Sequence, residues 1–127
     1  MNYYYKKEVR LPFEDAVEKT KAGLSHEGFG VLSEIDVKAT LKKKLDVEYD
    51  NYVILGACNP PLAHQALTAE KDIGLLLPCN VAVYEDGGKT YVSAIVPSVA
   101  MSMVQNAALG AIAQEVDGKL KKVIDAI

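Results

Sequence analysis

Two cysteines stand in matching settings, Ala57-Cys58-Asn59 and Pro78-Cys79-Asn80, each between an apolar run and a polar turn. A thiolate is both a nucleophile and a soft metal ligand, and an asparagine amide beside it can cap a helix or hold a ligand. Cys58 closes an apolar run just ahead of Asn59-Pro60-Pro61, which opens a helix: asparagine caps well and proline suits the first turn. Backbone donors and the dipole at such an end favour an anion, so a thiol there can be partly ionised near neutral pH. His64 falls on the second turn of the same helix, where it could feel the same thiol or ligand. A plainer account competes with this one. A buried cysteine is a small hydrophobe, and Asn59 and Asn80 are explained as cap and turn former by backbone hydrogen bonding alone. If the two segments are neighbouring strands, Cys79 faces Cys58 and the thiols form a redox pair, which requires Cα atoms within roughly 7 Å.

Other motifs carry less. Two cysteines cannot close a structural zinc site, and neither a C-x-x-C nor an H-E-x-x-H spacing occurs. Gly28-Phe29-Gly30 follows a helix and lacks the further glycine of a phosphate-binding turn. Met101 and Met103, with Met1, are too few for a copper-type thioether site and read as packing. Ser93 and Ser98 have no G-x-S-x-G context. His26 sits where a helix C-terminus favours it.

These residues need a scaffold. The chain has 127 residues, half of them hydrophobic and 24% charged, which suits one domain burying roughly two-thirds of its unfolded surface. A net charge of −3 argues against nucleic acid, whose binders present a basic face; Lys42-Lys43-Lys44 is offset by Asp36, Asp46 and Glu48. Nothing approaches the roughly 18 apolar residues of a membrane span, and the N-terminal residues lack the order of a signal peptide. A cytoplasmic location is the expectation, with both thiols reduced.

Along the chain, Tyr3–Arg10 reads as a strand ended by Pro12. Phe13, Ala16, Val17, Thr20 and Leu24 repeat at helical spacing until Gly28 stops them. Val31–Val37 alternates as a half-buried strand, with Val31, Ser33, Ile35 and Val37 on one side. Lys38–Leu45 is a short helical link, and Tyr52–Cys58 is a central strand covered on both faces. Leu62–Glu70 is a helix with Leu62, Ala63, Ala66 and Leu67 inward. Cys79–Glu85 and Lys89–Val96 form a hairpin, because Asp86-Gly87-Gly88 supplies the positive φ angles of a tight turn. From about Val99 to Ile127 the pattern is helical, with Val104, Ala108, Ala111, Ile112, Val116, Leu120, Val123 and Ile127 on one side; Gly110 and Gly118 weaken it, and a kink or break is expected near Gly118. The order predicts a single α+β domain: a mostly antiparallel sheet with helices packed on one face and a long C-terminal helix. The small-residue run Ala107–Ala113 suits close helix packing, within the chain or against a second subunit.

Tyr52-Val53-Ile54-Leu55-Gly56-Ala57-Cys58-Asn59-Pro60 and Ile73-Gly74-Leu75-Leu76-Leu77-Pro78-Cys79-Asn80-Val81 together resemble the domain of unknown function 302 family. The resemblance spans nearly the whole chain and includes a lysine before the first motif (Lys44), the hairpin, and Pro97 ahead of the last helix. It implies a compact α+β domain, a homodimer, and occurrence mostly in bacteria and archaea. It does not extend to an activity, and no catalytic residue carries over from it.

Three readings follow. In the first, a non-enzymatic domain binds a small ligand or metal ion, or senses redox state, through Cys58, Asn59, Pro60, His64, Cys79 and Asn80. In the second, the chain is an enzyme with Cys58 as nucleophile and His64 as base. In the third, the motifs are caps in a structural or assembly domain. The cofactor stays unknown in all three.

Overall fold

The computed structural model describes residues 2–127, so Met1 of the methionine count lies outside the described residues. Five antiparallel strands form one sheet: β1 (Tyr4–Val9), β2 (Gly30–Asp36), β3 (Tyr52–Cys58), β4 (Cys79–Asp86) and β5 (Lys89–Ile95), in the order β1-β5-β4-β3-β2. Helices α1 (Phe13–His26) and α5 (Ala108–Asp125) cover one face. Helix α2 (Val37–Leu45) lies by β2 and β3, while α3 (Pro60–Ala69), a 3-10 turn (Lys71–Leu76) and α4 (Pro97–Ala100) close one end against α5. The architecture is the α+β layer expected from the element order.

The core lies between sheet and helices, and strict alternation builds it. Val53, Leu55 and Ala57 of β3, Cys79, Val81 and Val83 of β4, and Val92 and Ala94 of β5 point inward, meeting Ala16, Val17, Thr20 and Leu24 of α1 and Val116, Leu120, Val123 and Ile124 of α5. The buried Thr20 hydroxyl donates to the Ala16 carbonyl, so no polar atom is stranded there. Helix α1 ends as its glycine requires. Gly28 has φ +85°, its N–H donates to Ser25 O and that of Phe29 to Leu24 O, and Phe29 drops into the core. At the other margin Lys7 of β1 donates to the carbonyls of Asp125 (3.2 Å) and Ile127 (2.6 Å), pinning the C-terminus of α5. The β4–β5 hairpin turns on Gly87 and Gly88 alone, at φ +59° and +79°.

Four sequence expectations need correction. The long C-terminal helix is present but begins later than Val99: α4 stops at Ala100 and α5 starts at Ala108. Asn106 causes the second start, its amide donating to Ala69 O (2.8 Å) and Glu70 Oε1 (3.1 Å) while its oxygen accepts from Ala108 N (3.0 Å). Ala108 and Ala111 therefore face solvent and Leu109, Ala113 and Ile124 turn inward; α5 runs unbroken through Gly118. Strand β2 carries a register shift between Val31 and Ser33. Leu32 is extruded, 69% exposed, and Val31 packs on the core whereas Ser33 and Ile35 share the opposite face. Strand β3 is covered on its helix side, while Tyr52 and Ile54 on its other side are only half-buried. Finally, Leu67 is exposed, and α3 buries Leu62 and Ala66.

Candidate functional site

The two cysteine motifs converge because β3 and β4 are neighbours. Ala57 pairs with Cys79, which puts Cys58 one residue further along the adjacent strand. Cys58, half-buried, and Cys79, buried, line one cavity of about 40 Å³. Its other walls are Asn59, Leu62, Ala63 and Ala66 of the α3 segment, Pro97 and Met101 around α4, and Ile112, Ala113 and Val116 of α5. The lining is almost wholly hydrocarbon and sulfur. A water needs only ~10–15 Å³ on this measure and a cavity that takes benzene is nearer ~150 Å³, so the space suits something of one or two heavy atoms. Burial foremost, then the neighbouring Cys58 and Asp117, pushes the Cys79 thiol up from 9.0 to about 11, so Cys79 is a neutral thiol at neutral pH.

The remaining motif residues disperse. Asn59 is the cap of α3: its Oδ1 accepts from Leu62 N (3.4 Å) and its Nδ2 donates to Glu27 O at 3.5 Å, tying α3 to the end of α1. Pro60 begins the helix, is exposed, and does not line the cavity. His64 is exposed and absent from the cavity wall. The nucleophile–base pair of Cys58 and His64 is thus not formed, since α3 buries Leu62 and Ala66 and turns His64 to solvent. Asn80 is no turn residue. It is the second residue of β4, opposite Gly56, and the pleat directs it to the face away from Cys79. Among the described residues no three His, Cys, Asp or Glu side chains are grouped to hold a metal ion.

The face on which Asn80 lies is a second candidate. No helix of the core layer covers it, yet it is not the charged surface usual for a one-sided antiparallel sheet. Across it run Tyr91, Tyr84 and Tyr52, adjacent in register on β5, β4 and β3, with ring centroids 5.5 and 5.1 Å apart in stacked geometry. Beside this row lie the small residues Ser93 and Ala82, then Ile54 and Ile35; beyond them come Tyr4, Ile95 and Asn80. The result is an open groove of about 460 Å³. Lys6 stands over the rings of Tyr4 and Tyr91, 5.4 and 5.2 Å from their centroids. Its pKa is held above the ordinary lysine value, chiefly by the neighbouring Tyr84 hydroxyl, and among the described residues it forms no carboxylate ion pair. Gly56, opposite Asn80, is buried where nothing larger fits: a Cβ there would strike the Ser33 side chain and come within 2.9 Å of the Pro78 ring.

The model of the family described as Domain of unknown function DUF302 matches residues 5–127. The chain belongs to the DUF302 family. The crystal structure of an uncharacterized conserved DUF302 protein from Bacillus stearothermophilus is similar over 98% of this chain and 98% of that one, with a TM-score of 0.93 and 29% sequence identity. None of the curated proteins compared with the chain matches it. Among the described residues, no helix of this DUF302 domain is long and apolar enough to cross a membrane.

Sequence reasoning missed the tyrosine face and the place of Met101. The first was within reach. The chain has seven tyrosines, and period-two alternation from the inward valines puts Tyr52, Tyr84 and Tyr91 together on the outer side of their strands. Met101 gave no such signal, because only the packing of the turn after α4 against β4 brings it to the cysteines.

Proposed function

We propose that this DUF302 domain is a non-catalytic assembly domain that pairs with a second copy of itself through the tyrosine face. The observation that carries the reading is the composition of the middle of that face: tyrosine, isoleucine, alanine and serine on β3, β4 and β5, with charge confined to its margins, Lys6 and Glu8 on the edge strand β1 and Asp86 and Lys89 at the hairpin end. Tyrosine enrichment with depletion of charge is the mark of an interface core. A two-fold contact must be self-complementary, and here the aromatic row lies beside a row of small side chains, so the ridge of one copy fits the groove of the other. Lys6 and Glu8 lie two apart on the same side of β1, which lets a two-fold axis set each cation against the other copy's acid. Sedimentation velocity across the micromolar range tests this. A dimer that Tyr84→Glu converts to a folded monomer supports the reading; a wild-type monomer, or a dimer indifferent to Tyr84→Glu, removes it.

A second reading rests on a different observation, the meeting of both cysteines in one cavity. On this reading the Cys58/Cys79 cavity binds a small apolar or soft ligand. A reducing, cytoplasmic compartment would keep both thiols free to serve it. Dissolved xenon is a suitable probe, since dry apolar cavities admit it. Shifts of the Ala63, Ala66 and Ala113 methyl resonances under xenon pressure support the reading, and unmoved resonances overturn it.

A further inference from the structure

We infer that Cys58, Cys79 and Met101 form a three-sulfur site for a soft monovalent cation, copper(I) being the biological member of that class. The inference rests on the reading of the Cys58/Cys79 cavity as a binding site and names what it binds. The three residues come from three elements, the end of β3, the start of β4 and the turn after α4, and all line the same cavity. Cys79 and Met101 also line a second hollow together with Pro97, so the two residues are neighbours on both counts.

The chemistry of the lining selects the ion. Thiolate and thioether sulfur prefer copper(I), while carboxylate, carbonyl and water suit magnesium and calcium. The hydrocarbon of Leu62, Ala66, Ile112 and Val116 leaves no room for a hydrated hard ion. Among the described residues no histidine lines the cavity, and His64 is exposed. Asp117, whose charge also acts on Cys79, already accepts a hydrogen bond from Ser98 N at 3.0 Å. About 40 Å³ suits a bare ion better than an organic molecule.

Both thiols must ionise to bind, because a coordinating thiol gives up its proton. The ion carries +1, two thiolates carry −2, the thioether is neutral, and two protons leave to solvent; the bound site holds −1. No oxidant or reductant takes part. Without the ion, Cys79 stays protonated and packs as a hydrophobe. The N-terminal end of α3, whose cap Asn59 lines the same cavity, lies where its dipole opposes the cost of that single negative charge.

The test is an anaerobic titration of the reduced full chain with copper(I), held by a competing chromophoric chelator, and in parallel with silver(I). One ion per chain, two protons released per ion and no competition from zinc are expected. Cys58→Ser and Cys79→Ala should each weaken binding by more than the roughly 10–100-fold typical of an outer-shell change, and Met101→Leu by roughly tenfold. Met103, 72% exposed, is the internal control, and Met103→Leu should change nothing. Should Cys79→Ala fail to fold by circular dichroism, Met101→Leu and Cys58→Ser decide the matter. Absence of a bound ion, fewer than two protons, or unchanged affinity in Met101→Leu overturns the site. Xenon entry without metal binding ends this inference and leaves the cavity reading standing; failure of both ends both.

Discussion

Cys58-Asn59 and Cys79-Asn80 are one dipeptide used twice, and the fold gives the two copies different work. The first pair ends a strand: the chain leaves β3, Cys58 stays on the cavity wall, and Asn59 caps the helix that follows. The second pair begins a strand, so the pleat separates its members, Cys79 into the core and Asn80 out onto the tyrosine face. The local residues are the same; the difference is whether the backbone is leaving or entering the sheet. It follows that the sheet's two faces are two separate surfaces, a sulfur-lined cavity behind and an aromatic groove in front.

The sharpest way to break this division is to truncate neighbours on one strand. Leu55 is fully buried on the helix side of β3, and Ile54 lies beside it on the tyrosine side. Leu55→Ala should cost about 3 kcal/mol, the usual loss for a large core side chain that leaves a hole. Ile54→Ala in dilute, monomeric protein should cost less, about 1–2 kcal/mol, because its side chain is only half-buried and keeps part of its apolar area in water. Urea unfolding measures both. Equal losses would mean that the outer face is core, and the division would be wrong.

A smaller effect distinguishes the cavity by pH. Cys79 titrates at about 11 in the folded chain against 9.0 for an unperturbed thiol. Between those values the unfolded chain sheds a proton that the folded chain keeps, so stability falls as pH rises; below 9 the group contributes no slope. The loss attributable to Cys79 is about 2–3 kcal/mol by pH 11. Cys79→Ala should show a correspondingly shallower decline over the same window. Parallel declines of the two proteins would place Cys79 in a solvated setting.

What could be read from sequence followed from how local its cause was. The hairpin at Gly87-Gly88, the face of α1 and the cap at Asn59 depend on residues within a turn of each other, and all three appear as expected. The bulge at Leu32 is different. It inserts one residue between Val31 and Ser33, and the pattern of alternation carries no mark of it. The break before α5 is set by Asn106 reaching Ala69 and Glu70, contacts that are distant in sequence. The meeting of Cys58 with Cys79 needed the β3–β4 pairing, which motif similarity could suggest but not supply; the exposure of His64 followed from which side of α3 packs.

The smallest contrast is the most direct test of the repeated dipeptide. Asn59 Oδ1 accepts from Leu62 N and its amide reaches Glu27 O, so Asn59→Ala should lose about 1 kcal/mol, as removal of a helix cap does. Pro60 and Pro61 leave the first turn fewer donors to satisfy, which keeps the loss from being larger. Asn80 is exposed, and its side chain forms no hydrogen bond among the described residues. Asn80→Ala should therefore change stability by less than about 0.5 kcal/mol, as surface substitutions do, while altering self-association if the groove it borders is an interface. Chemical unfolding and sedimentation on the same two variants give four numbers. Stability lost only at Asn59, with association changed only at Asn80, is the expected pattern. A stability loss at Asn80 matching that at Asn59 would show that the second asparagine is a cap after all.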